Sequence, residues 1–315
     1  MSDFPYRIRP IKIEQDASGI AALVRGGFRP WLDHENLAYL DHLEKAGNDA
    51  RSFPLWTSLA GFPYTMTGVV CINEAGSIIG VISTYPFYLR NRKCCLIANV
   101  CVAPEYRRQG IAGHMIEEAA DLERQSGSYG LYLQTRMAQK ELVTFYTNNG
   151  FTVTDYRETW ILPAGSHPVP SAGMRLQFVP ESEMDRFLSA LDLRYPETVR
   201  WNLDYSGDLF QSGKFPNLLN RLSFSGNRFY RVQDDHGTAA WAACQTGKEN
   251  GDSLWFIPCA GISGTRLGDA LRTACSGYKG KKSLKLDAPA GSSESIYRSI
   301  GFVYQQTLAW MWRRL

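Results

Sequence analysis

One segment, Ile97-Ala-Asn-Val-Cys-Val-Ala-Pro-Glu-Tyr-Arg-Arg-Gln-Gly-Ile-Ala112, constrains the fold more than any other. It opens as an apolar strand. From Gly110 to Gln125 it continues as a helix, with Ile111, Met115, Ala119 and Leu122 on one face and Glu117, Glu118, Asp121 and Arg124 opposite. A strand that runs into a helix through a short loop belongs to a sheet covered by helices.

The flanking elements agree. Asp16–Phe28 has helical spacing, with Asp16 a candidate N-cap, and Asp33–Ala46 is a second amphipathic stretch ended by Gly47. Val69–Ile72 and Ile78–Ile82 flank a turn at Asn73-Glu-Ala-Gly-Ser77. Strands are expected at Cys94–Val102, Leu131–Thr135 and Phe151–Leu162, and a helix at Gln139–Asn149. The class is α/β with a central sheet.

Residues 164–173, with Pro163 before them, are rich in Pro, Gly and Ser and carry no Lys, Arg, Asp or Glu. This is linker composition and predicts domains at 1–163 and 174–315. The second half repeats the order. A helix at Met184–Leu193 precedes strands at Arg228–Asp234, Thr238–Gln245 and Leu254–Cys259. A helix at Leu267–Ser276, a strand at Ser283–Asp287, a short helix at Ser293–Ser299 and a strand at Val303–Trp312 follow. Phe145-Tyr-Thr-Asn-Asn-Gly-Phe151 echoes Ile296-Tyr-Arg-Ser-Ile-Gly-Phe302, which points to a repeated domain.

Composition narrows the class. The 315 residues are 44% hydrophobic and 21% charged, as in globular proteins, with a net charge of +3. That charge gives no ground for nucleic acid or a membrane surface as partner. The seven Cys form no C-x-x-C, so reduced thiols, a cytoplasmic setting and no metal are expected. The N-terminus lacks an apolar signal region. The longest uncharged stretch, Ser52–Asn73, is broken by Pro54, Gly61, Pro63 and Gly68 and reads as a loop into a buried strand.

The chemistry concentrates where the helix begins. The first amides of a helix lack backbone acceptors and sit at the positive dipole end, which makes an anion site. Gly110 admits a bulky anion to the backbone, Ala112 keeps the first turn open, and Arg107 and Arg108 add charge. Neither G-x-x-x-x-G-K-[ST] nor G-x-G-x-x-G is present, so this is no nucleotide loop of those types.

Arg107-Arg-Gln-Gly110-Ile-Ala112 after Val102-Ala-Pro104, with Tyr146 ahead of Gly150-Phe151, resembles the GNAT superfamily of acyl-CoA-dependent N-acyltransferases. The resemblance spans about residues 7–162. It implies two tandem GNAT-like domains, each a mixed, mostly antiparallel central sheet flanked by helices. It further implies acetyl-CoA as co-substrate and an amine of a small molecule or peptide as acceptor. The backbone of Arg107, Arg108, Gln109, Gly110, Ile111 and Ala112 would hold the pyrophosphate. Val100, Cys101 and Val102 would pair with the pantetheine arm and supply an oxyanion donor. Tyr146 would protonate the departing thiolate.

Two departures stand out. Gln139 occupies a position where many members have Asn. The strand Leu96–Val102 holds no Asp, Glu or His, so it offers no general base, although Asn99 could orient a water. A non-catalytic acyl-CoA-binding regulatory protein is the alternative this leaves.

In the second half Thr265-Arg-Leu-Gly-Asp-Ala270 aligns with the cradle, placing Asp269 in a first helical turn, where it would repel a pyrophosphate. A degenerate GNAT-like domain is expected there. No His pair has the i, i+4 metal spacing. The aromatic stretch Phe53–Tyr64 is a candidate acceptor wall or interaction surface. Arg136 is a candidate for an acidic substrate, and Lys279, Lys281, Lys282 and Lys285 form a small basic cluster. Residues 1–163 hold 16 Lys+Arg against 17 Asp+Glu, so the half expected to take an anionic co-substrate is not the basic one.

Overall fold

The computed structural model describes residues 4–29, 37, 40, 41, 43–45, 67–89, 92–195, 227–246 and 252–315. Most of the helix expected over Asp33–Ala46, and the aromatic stretch Phe53–Tyr64, lie outside the described residues.

One succession of elements occurs twice. It runs first as β1 (Arg7–Pro10), α1 (Ile13–Phe28), β2 (Thr67–Ile72), β3 (Ile78–Leu89), β4 (Arg92–Val102), α2 (Ile111–Gln125), β5 (Gly130–Arg136), α3 (Lys140–Asn148) and β6 (Thr152–Leu162). It runs again as β7 (Arg175–Phe178), α4 (Met184–Arg194), β8 (Asn227–Asp234), β9 (Gly237–Gln245), β10 (Asp252–Pro258), α5 (Gly264–Ser276), β11 (Leu284–Pro289), α6 (Glu294–Ile300) and β12 (Val303–Arg314). The chain is a tandem repeat. In each copy one pair is parallel, β4–β5 and β10–β11, and every other resolved register is antiparallel.

The chain forms two compact units. The first holds Met1–Leu133, Tyr146–Thr152 and Trp312–Leu315; the second holds Gln134–Phe145 and Val153–Met311. The boundary expected at 163 follows the repeats, whereas the compact units divide inside β5, α3 and β12. The strand order explains the difference. β12 lies beside β5, and β6 lies beside β11, so the two copies exchange their last strands. In the first unit the Leu315 amide donates to Tyr129 O at 3.2 Å. In the second unit β6 pairs with β11 from Arg157–Pro289 to Leu162–Leu284.

In the first unit, α1 buries Ala17, Ile20, Ala21 and Val24 against Val70, Val81 and Cys101. That i, i+3, i+4, i+7 spacing gives one continuous apolar stripe. The helix begins at Ile13, three residues before the expected cap. Asp16 instead sits buried inside the first turn. It accepts from the Lys12 amide at 2.7 Å and from both Arg9 amino groups at 2.6 and 2.7 Å. Its carboxylate caps the helix from within and ties it to β1. The edge strands β1 and β7, only four residues each, were not legible in the sequence.

In the second unit, α5 packs Ala270, Leu271 and Ala274 onto a core of Trp160, Leu162, Leu284, Leu286 and Phe302. A buried arginine crosses this unit. Arg157 is 1% exposed. It donates to Asp155 Oδ2 at 3.0 Å and to Asp287 O at 2.9 Å, between the rings of Tyr195 and Trp310. Removing one member of a buried charged network leaves the others unpaired in a low dielectric. Arg157→Ala should therefore cost about 3–5 kcal/mol in urea unfolding. Arg298→Ala, on the surface, should cost about 0–1 kcal/mol.

Candidate active site

The site starts from an irregularity in β4. The β3–β4 register runs Val81–Cys101 and then Ser83–Ala98, so β4 carries one extra residue. Asn99 takes φ +53, and its side-chain amide donates to Ser83 Oγ at 3.1 Å and lies 3.5 Å from the Tyr85 hydroxyl. A bulge of this kind bends the strand. β4 pairs with β5 only at Cys95–Leu131 and Leu96–Tyr132. Beyond Leu96 that edge of β4 has no strand partner among the described residues.

Backbone alternation tells which groups face the opening. The Ala103 amide donates to Ile79 O at 2.8 Å, toward β3. Cys101 shares that direction, so Val100 and Val102 turn their backbone groups to the open edge. Cys101, expected among the binding residues, instead pairs with Val81 and sends its side chain under α1. A Cβ on Gly27 would stand 2.3 Å from its Sγ. Burial pushes the Cys101 thiol up to about 11, so it is not a nucleophile at neutral pH.

Past β4 the chain makes a tight turn over Pro104–Tyr106. Arg108 at φ +62 and Gly110 at φ +79 then swing it into α2. No side chain caps α2 and no acidic residue lies in its first turn. Ile111 is buried and anchors the turn in the core, while the neighbouring Ala112 and Gly113 are small. The Arg107 guanidinium is already engaged, its Nε donating to Val102 O at 2.9 Å. The Gln109 side chain is held by Tyr6 and Glu105 O. What this turn offers an anion is its backbone, the helix end and Arg108.

Tyr146 lies in the last turn of α3, 7% exposed, with its ring edge-on to Phe151 at 5.8 Å. It belongs to the same compact unit as β4 and α2. Burial pushes its hydroxyl well above the ordinary tyrosine value, so it is protonated at physiological pH. Two contacts tie the end of α3 to α2. A Cβ on Gly113 would lie 3.3 Å from Asn149 Oδ1. Arg313 reaches from the end of β12 to Glu117 at 2.7 and 2.8 Å and to Asn149 O at 3.1 Å. This clamp was invisible in the sequence, since its members are 164 and 196 residues apart. Gln139 and Arg136 fall in residues grouped with the second unit. Gln139 forms the turn into α3, its amide donating to Arg136 O at 3.1 Å, and burial lowers the pKa of Arg136. Among the described residues no group of three His, Cys, Asp or Glu could hold a metal.

The second copy differs from expectation at its helix. α5 starts at Gly264, behind Ser263, because Gly261 and Gly264 take positive φ one turn earlier than the aligned Gly268. Asp269 therefore lies beyond the first turn, which carries no acid. The repulsion expected from Asp269 at the helix end does not apply.

Comparison with known proteins agrees with this geometry. Residues 29–151 match the model of the acetyltransferase (GNAT) family. A GCN5-related N-acetyltransferase from Sphaerobacter thermophilus shares the fold at TM-score 0.56 and 12% identity, over 100% of this chain and 97% of that one. The GCN5-related glucosamine N-acetyltransferase region of a fungal multi-domain β-N-acetylglucosaminidase aligns at TM-score 0.58 and 11% identity, over 98% of this chain and 38% of that one. No curated protein matches significantly. Residues 29–151 thus match the acetyltransferase (GNAT) family model, and the whole chain shares the fold of these structures as a tandem repeat.

The Arg313 clamp sets a pH test. Its hydrogen bond holds the Glu117 carboxyl below the ordinary carboxylate range. A lowered folded pKa stabilises at pH above the unfolded value, and that stability is lost as pH falls through the folded value. Arg313→Met should flatten the loss of stability below about pH 5 in urea unfolding relative to wild type.

Proposed function

We propose that the first repeat, residues 1–163, transfers an acyl group, acetyl by preference, from acyl-CoA to an amine of a small molecule or peptide. Residues 174–315 would be a degenerate partner domain joined through 164–173. One observation carries the reading: the unpaired edge of β4 at Val100 and Val102 ends beside an uncapped helix start, in the unit that also buries Tyr146.

On this reading the backbone of Arg107–Ala112 and the Arg108 side chain hold the pyrophosphate. The edge of β4 takes the pantetheine arm as an added strand. An N–H of Val100 or Val102 donates to the thioester oxygen, where negative charge builds as the amine attacks. The nitrogen–carbon bond forms, the carbon–sulfur bond breaks, and the thiolate takes the Tyr146 proton. With no carboxylate on Leu96–Val102, Asn99, fixed by Ser83, orients the water that receives the amine proton. No protein metal enters.

A cytoplasmic site of action fits the thiols, since none of the seven Cys is in a disulfide and six are buried. No described helix is long and apolar enough to cross a membrane.

Thiol release from acetyl-CoA over a panel of amines tests the proposal. Tyr146→Phe should lower kcat about 100-fold or more with CoA affinity unchanged. CoA binding without thiol release on any amine would favour the non-catalytic acyl-CoA-binding protein, which the missing carboxylate on β4 otherwise recommends.

A further inference from the structure

The two copies open the same way, and in the second a side chain of the protein itself stands in the opening. β10 and β11 pair in parallel at Asp252–Leu284, Ser253–Lys285 and Leu254–Leu286, and then part. The Cys259 amide donates to Ala239 O at 2.9 Å, as Ala103 donates to Ile79 O in the first copy. That match aligns Pro258 with Val102 and Phe256 with Val100. The Asp252 amide donates to Ser283 O, toward β11. Alternation then turns the backbone of Leu254, Phe256 and Pro258 to the same edge.

Tyr195, at the end of α4, occupies that edge. Its hydroxyl donates to Phe256 O at 3.2 Å, and its ring stands edge-on to Trp255 at 5.3 Å. The Arg157 guanidinium closes the other side of the ring at 4.8 Å. Tyr195 is 1% exposed, so the space is filled. Pro258 removes a further group, since proline has no amide where Val102 has one.

We propose that Tyr195 is a built-in plug. It occupies, in the second copy, the strand-edge slot that takes the pantetheine arm in the first, so the chain binds one acyl-CoA and only in the first copy. This rests on the donor reading given above and replaces the charge repulsion expected from Asp269 with a steric and hydrogen-bonding cause.

Hydrogen–deuterium exchange of the full chain, with and without acetyl-CoA, separates the possibilities. Protection confined to residues 100–113 supports the plug. Protection at 254–264, or two acetyl-CoA per chain by calorimetry, overturns it. Protection at neither overturns the donor reading of the first copy, and the plug is then decided by Tyr195→Gly. That variant should lose roughly 5 °C or more in Tm, and p-cresol should restore part of the loss by refilling the space. An unchanged Tm, or a loss p-cresol leaves untouched, overturns the plug. Should Tyr195→Gly fail to fold, Tyr195→Phe keeps the ring and loses only the bond to Phe256 O. Slower exchange of the 254–258 region in wild type than in Tyr195→Phe supports the plug, and equal exchange overturns it.

Discussion

Two parallel strands that pair for only two residues and then separate create everything else in the first copy. The extra residue at Asn99 bends β4 away from β5. Among the described residues, backbone groups at Val100 and Val102 then lack the ladder partners that a strand interior requires. A strand edge in that state takes an extended ligand or a side chain. In the second copy the Tyr195 hydroxyl takes such a place at Phe256 O.

The positive potential of the turn at the end of that edge owes little to net charge. The first 163 residues carry one more acid than base. Of the two adjacent arginines, Arg107 spends its guanidinium on Val102 O. The positive potential comes from the start of α2, which lacks both a capping side chain and an acid in its first turn. Placing this helix requires two left-handed residues, and the chain supplies glycine at only one of them. Arg108 bears the cost of the other, about 1 kcal/mol or more for a side chain in that region.

Exchange of the last strands explains why the linker misleads about compactness. Pro163–Gly173 lies between β6 and β7. The strand order nevertheless sets β6 beside β11 and β12 beside β5. Arg313 shows the functional side of this arrangement. A residue three from the C-terminus of the chain steadies Glu117 on α2 and the turn after Tyr146. No local pattern encodes such a contact.

The strands, the helices, the tandem order and the cradle turn were legible in the sequence because each rests on local periodicity or on a contiguous motif. The same local reasoning failed where a distant partner decides the outcome. Asp16 looked like a cap until Arg9 drew it inside the helix. Gly268 looked like the second cradle until Gly261 and Gly264 started the helix earlier. Cys101 looked like a site residue until the pairing with β3 turned it away. By itself the sequence determined the class of fold, the tandem order and the helix that starts after Gly110, since backbone freedom and helix periodicity act over a few residues. Only the tertiary structure decided which backbone groups face the opening, which strands close each sheet and where Tyr195 is buried. Those outcomes depend on packing between segments far apart in the chain, where no spacing rule reaches.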